Sequence, residues 1–124
     1  MVTIGAVHIS SDHPKELGEF YRKVLGVEPE FQSDEGAGFL VGDSRLMILK
    51  HDHIHSKNSS PERMFYDLIV SDVAAEVKRV VAIGATLVQE PYPFDDRNDG
   101  MKMVFATLAD LDGNYFQLVS MTPA

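Results

Sequence analysis

The feature that most constrains this chain is a pattern that occurs twice. Residues 2–10 alternate as a strand, and Asp12-His13-Pro14 then offers a helix start, with an acidic cap candidate and Pro in the first turn. In that helix Leu17, Phe20, Tyr21, Val24 and Leu25 recur at helical spacing as one apolar stripe, and Gly26 stands where a C-terminal cap glycine belongs. Three short strand-like pieces follow near 28–33, 37–42 and 45–51, broken at Asp34-Glu35-Gly36 and Gly42-Asp43. After the polar stretch 52–63 the order begins again. Residues 64–70 read as a strand, and Ser71-Asp72 opens a helix striped by Val73, Val77, Val80 and Val81 and ended by Gly84. Strands follow near 86–90, 102–108 and 114–120, with Asp112-Gly113 as a hairpin turn between the last two.

This repetition predicts an α+β fold of two tandem βαβββ modules in one domain spanning 1–124: module one at 1–51, a connection at 52–63 and module two at 64–124. The helices are expected on the outer faces of curved mixed sheets whose inner faces enclose a cleft. The halves share a pattern rather than an identity. An unrelated α+β fold with the same order of elements is the alternative. Residues 95–100 read as a charged, mobile surface loop.

Composition removes several classes of partner. Eleven basic against nineteen acidic residues give −8, spread evenly as −4 in 1–62 and −4 in 63–124. A field of this sign disfavours nucleic acid and anionic lipid. With no Cys there is no disulfide, no thiolate metal site and no Cys nucleophile. No apolar run approaches the roughly 20 residues of a membrane helix. The opening MVTIGAVHIS lacks the basic segment and cleavage site of a secretory signal, so a cytoplasmic location is expected. Phosphate-binding glycine loops, G-x-S-x-G and H-E-x-x-H are also missing.

Three stretches resemble a known superfamily. They are Asp12 to Gly26 with its Phe20-Tyr21 and Leu25-Gly26, Val70 to Thr86 followed by Glu90-Pro91, and Phe105 to Leu118 with Asp110-Leu111-Asp112-Gly113-Asn114. The chain is identified as a member of the vicinal oxygen chelate superfamily, which contains glyoxalase I, bleomycin-resistance proteins, fosfomycin-resistance proteins and extradiol dioxygenases. Leu111 replaces the usual Pro. The superfamily holds both metalloenzymes and metal-free binding proteins, so the resemblance implies a fold more than a reaction. It also implies a homodimer.

The resemblance implies a divalent metal held by four strand residues. The position on the first strand of module one is Ala6, and its counterpart in module two is Phe65. The last strands should supply Glu near Met47 or Leu49, and at Gln117. Apolar groups at three of these positions cannot offset the lost hydration of a divalent ion, and one neutral amide cannot hold it alone.

Strand parity places Val7 and Ile9 toward the first helix and Ala6, His8 and Ser10 toward the cleft. It likewise turns Tyr66, Leu68 and Val70 to the second helix and Phe65, Asp67 and Ile69 to the cleft. His8 and Asp67 then match across the modules, each two residues, about 7 Å, beyond a vacated ligand position. They can form a His–carboxylate pair, anchor a displaced metal with Gln117, or make ordinary hydrogen bonds. Tyr115 shares the parity of Gln117, and with Met47, Leu49 and Phe65 it suggests an apolar, partly aromatic site; the alternative is a core filled by its own side chains. His51, His53 and His55 would share a face on a strand, but they enter the polar connection, where solvated loop histidines are expected. His13 reads as a cap residue.

These readings converge on a cofactor-free binder of a small organic ligand, acting by sequestration or sensing, with a cationic or polar aromatic ligand favoured by the acidic balance. The expected ligand contacts are His8, Met47, Leu49, Phe65, Asp67, Tyr115 and Gln117. The alternatives are a metal-dependent lyase, isomerase or dioxygenase using a divalent ion on His8, Asp67 and Gln117, possibly with His51, and a dimeric scaffold with a filled cleft.

Overall fold

The computed structural model describes residues 1–94 and 100–123. The chain divides into two compact units, 1–57 and 58–124. Unit one contains β1 (Ala6–Ser11), α1 (Pro14–Leu25), β2 (Phe31–Ser33), β3 (Gly36–Val41) and β4 (Ser44–Lys50). Unit two repeats the order with β5 (Tyr66–Ile69), α2 (Val73–Ile83), β6 (Thr86–Phe94), β7 (Met101–Ala109) and β8 (Tyr115–Pro123). The strand orders are β1-β4-β3-β2 and β5-β8-β7-β6, the same arrangement twice. In each, the opening strand runs parallel to the closing strand and the other pairings are antiparallel. Of the charged loop at 95–100, residues 95–99 lie outside the described residues.

Each sheet buries one face against its own helix. In unit one Leu17, Phe20, Tyr21 and Val24 of α1 are buried, as are Ile9, Ala37, Phe39, Leu46 and Ile48 of the sheet. In unit two Val73, Val77 and Val80 of α2 are buried, with Ala106, Leu108, Phe116 and Leu118 on the strands. Period 3.6 on the helices and period 2 on the strands are therefore satisfied together.

The helix starts differ from one another. Asp72 caps α2, its Oδ1 accepting from the Ala75 N–H at 3.1 Å. Asp12 does not cap α1: His13 occupies the cap position and makes no side-chain cap hydrogen bond. Instead the buried Ser11 Oγ accepts from the His13 N–H at 2.9 Å. Pro14 takes the first turn as expected.

Strand ends also shift, for identifiable reasons. β1 starts at Ala6 rather than Val2 because its register partner in β4 is Arg45, near the start of that strand. The preceding residues are tied instead by the Arg45 N–H donating to the Gly5 carbonyl at 2.9 Å and by Ser44 Oγ donating to the Ile4 carbonyl at 3.0 Å. β6 runs on past Glu90 to Phe94, through Pro91 and Pro93. It is an edge strand with two register shifts, the setting in which proline is tolerated in a sheet.

Candidate functional site

Of the site residues expected from parity, His8, Met47, Leu49, Asp67, Tyr115 and Gln117 lie on strands, and Phe65 stands just before β5. In unit one, register places Ala6 beside Arg45, His8 beside Met47, and Ser10 beside Leu49. Met47 in turn faces Gly38, and a Cβ there would sit 3.0 Å from the Met47 sulfur and 2.4 Å from the Phe31 ring. Phe31 and Met47 thus lie over a glycine that leaves them room. Arg45 forms a forked pair with Glu30, at 2.7 Å from Nε and 3.3 Å from Nη2. The hydrogen bond from Arg45 holds the Glu30 carboxyl below the usual carboxylate range.

In unit two, Asp67 stands beside Gln117, Gln117 beside Thr107, and Thr107 beside Gln89. Four polar side chains therefore form one row across all four strands. Gln117 Nε2 donates to Thr107 Oγ1 at 3.2 Å. The next row on the same face is Ile69, Val119, Phe105 and Tyr92. Tyr92 stacks on Phe105 with ring centroids 6.0 Å apart, and Phe94 meets Phe105 edge-on at 5.6 Å. Burial pushes the Asp67 carboxyl above the usual range. Tyr115 opens β8, half-buried on the Gln117 side, and Phe65 precedes β5 and is exposed.

The structure brings Asp67 and Gln117 together in one unit and His8 and Met47 together in the other. Register also resolves which residue of β4 matches Gln117. The row of Asp67 and Gln117 lies two residues beyond Phe65; the row of His8 and Met47 lies two residues beyond Ala6. Met47, and not Leu49, is therefore the counterpart of Gln117.

The four positions at which the resemblance implies a metal are then Ala6, Met47, Phe65 and Gln117. A methyl, a thioether, a phenyl and an amide do not fit a hard or borderline divalent ion. Among the described residues no group of three or more His, Asp or Glu is placed to hold a metal ion. β4 ends at Lys50, so His51 and His53 leave strand geometry as expected: their rings meet edge-on at 5.4 Å, and the His53 N–H donates to His51 Nδ1 at 3.1 Å. His55 is exposed.

Sequence parity missed Gln89, Tyr92, Phe94, Phe105 and Thr107. For Gln89, Tyr92 and Phe94 the reason is the irregular register of β6, and for Phe105 and Thr107 it is the hairpin. A two-residue turn at Asp112-Gly113 would set Thr107 opposite Leu118, on the wrong face. The actual loop is 110–114, closing with Ala109 opposite Tyr115, so Thr107 faces Gln117. The Asp110 carboxylate dictates that loop by accepting from the Asp112 N–H at 2.9 Å and the Asn114 N–H at 3.0 Å. The signal was present as Asp-x-Asp-Gly-Asn.

Strand–helix–three strands, repeated, with parallel opening and closing strands, define the class of fold. A glyoxalase-like domain model matches residues 6–119. The chain belongs to that family, within the vicinal oxygen chelate superfamily. It is similar in fold to hypothetical protein SA1046 from S. aureus (21% identity, TM-score 0.74, covering 97% of this chain and 94% of that one). It is similar also to a glyoxalase/bleomycin resistance protein/dioxygenase family enzyme from Burkholderia phytofirmans PsJN (20% identity, TM-score 0.74, 94% and 96% covered). A glyoxalase-related enzyme from Fulvimarina pelagi gives 16% identity and TM-score 0.77, with 97% and 88% covered. At these identities the likeness speaks for the fold alone. No curated protein matches the chain. No helix among the described residues is long and apolar enough to cross a membrane.

Proposed function

We propose that this chain binds a small organic molecule on a helix-free sheet face and acts by sequestration or sensing, without the metal chemistry of its enzymatic relatives. The observation that carries the reading is the donor set: Ala6, Met47, Phe65 and Gln117 stand where a metal would need imidazoles and carboxylates. What replaces them suits an organic ligand. In unit one Phe31 and Met47 offer contact area and His8 orientation; in unit two Phe65 and Phe105 offer contact area, and Asp67, Thr107 and Gln117 offer orientation. The reading carries with it a cytoplasmic homodimer, which light scattering and fractionation test.

A thermal-shift screen of tag-free protein against a chemically diverse library tests the binding itself. A specific ligand at 100 times its Kd adds about 2.7 kcal/mol of stability. Hits whose effect survives a chelator support the reading. A library without hits, or hits that all require an added metal, contradicts it.

A further inference from the structure

The polar row of unit two has a definite hydrogen-bonding character. Gln117 spends one N–H on Thr107, whose Oγ1 accepts it, so the Thr107 hydroxyl proton is directed elsewhere. Gln89 spends an N–H on the Glu90 carbonyl at 3.3 Å. Among the described residues, the Asp67 carboxylate oxygens, Gln117 Oε1 and Gln89 Oε1 accept no hydrogen bond. The row retains some donors, but acceptors predominate, and its one formal charge is the carboxylate of Asp67. No cation stands in this row or the next. Adjacent strands lie about 4.8 Å apart, so the four residues span roughly 14 Å, room for about three fused rings with an amino group at either end.

About 7 Å along the strands stands the aromatic group. Tyr92 and Phe94 keep 37% and 40% of their surface exposed, although each packs on Phe105. Rings held by one neighbour and open on another side are a stacking platform for a flat ligand. A cation gains further from such rings. The net charge of −8 works against anions throughout.

We infer that Gln89, Thr107, Gln117 and Asp67, with Tyr92 and Phe105 beside them, form a subsite for a planar aromatic molecule that carries amino groups and no negative charge. The ligand's N–H groups donate to the row, and Asp67 selects against anions. This rests on the small-molecule reading above and narrows it to one face and one ligand class. The raised proton affinity of Asp67 agrees with it: a carboxyl partly withdrawn from water, with no cation beside it among the described residues, gains from an N–H donor or a positive charge.

Proflavine, a flat three-ring cation with two amino groups, and anthracene-9-carboxylate, a flat three-ring anion, are matched probes. Fluorescence titration of the full chain is expected to give at least about tenfold tighter binding of proflavine, equivalent to about 1.4 kcal/mol. Asp67→Asn is expected to weaken proflavine about tenfold, and Thr107→Val several-fold. Glu76→Gln, on α2, leaves binding unchanged. Backbone NMR shift changes on titration should centre on residues 67, 89, 92, 105, 107 and 117, and unchanged spectra elsewhere show that the variants fold. Equal or tighter binding of the carboxylate overturns the inference, as does no binding of either probe or a shift map lying elsewhere. If the library screen yields ligands that map to another face, the inference fails while the broader reading stands; if it yields none, both fail.

Discussion

Replacing Asp110 with Ala tests how the hairpin aligns the proposed subsite. Asp110 is 4% exposed, and its carboxylate accepts from two backbone N–H groups and from Asn114 Nδ2 at 3.0 and 3.2 Å. Removing the carboxylate strands these donors. The Asp112 N–H belongs to a residue itself only 7% exposed, so water replaces the lost acceptor poorly. A buried donor left unpaired costs about 1–3 kcal/mol, and a donor near solvent costs less. The sum for Asp110→Ala is about 2–4 kcal/mol. For a domain of this size each kcal/mol lowers Tm by about 4 °C, giving a drop of roughly 8–16 °C. Asp110→Asn keeps one acceptor oxygen and is expected to lose about half as much. Urea denaturation measures the stability, and cross-strand NMR contacts between Thr107 and Gln117 report the register. A loss under about 0.5 kcal/mol with the register intact refutes the reasoning, because the loop would then be held by its glycine and backbone bonds alone.

Three further outcomes follow from local geometry. Burial raises the Asp67 pKa above 3.8, so the folded chain keeps this proton to a higher pH than the unfolded chain. Its contribution to stability is therefore lost as pH rises through that window, and Asp67→Asn should gain on the parent from pH 3.5 to 7 in urea denaturation; the opposite slope contradicts the assignment. Gly36→Ala is expected to cost about 3 kcal/mol or more, because φ is +151° and a Cβ would fall 2.0 Å from the Ile48 carbonyl oxygen, whereas Gly38→Ala displaces side chains alone, the Phe31 ring and the Met47 sulfur, and costs about 1 kcal/mol. Asp72→Ala removes a cap hydrogen bond and should cost about 1 kcal/mol, while His13→Ala, which removes none, should be close to neutral by thermal denaturation.

The twofold pattern was legible because its signals are redundant. The stripe from Leu17 to Val24 names a helix face, Gly26 closes it, and Ile9 supplies part of the sheet face it covers, while Val7, expected beside it, stays exposed. Strand parity followed from the same patterning, so His8, Asp67 and Gln117 fell on the expected side. What escaped depends on register, which is long-range. Whether Met47 or Leu49 matches Gln117 is decided only by the parallel pairing of β1 with β4. Thr107 could be placed only by knowing that Asp110 opens the loop to five residues. Tyr92 and Phe94 lay beyond Pro91, where the strand was expected to have ended; two register shifts carry β6 past both prolines. The cap of α1 escaped for a simpler reason: Ser11 and Asp12 are both credible acceptors, and only the path of β1 selects Ser11.

The most direct test of the central claim is a calorimetric titration of tag-free, chelator-treated protein with Zn²⁺, Ni²⁺ and Mn²⁺. The vacated donor positions predict no site tighter than about 10 μM, and any weaker Zn²⁺ or Ni²⁺ binding should vanish in His51→Ala/His53→Ala, the histidine pair beyond β4. One ion per chain at submicromolar Kd, lost on replacing His8, Asp67 or Gln117, would show a working metal centre and contradict the account.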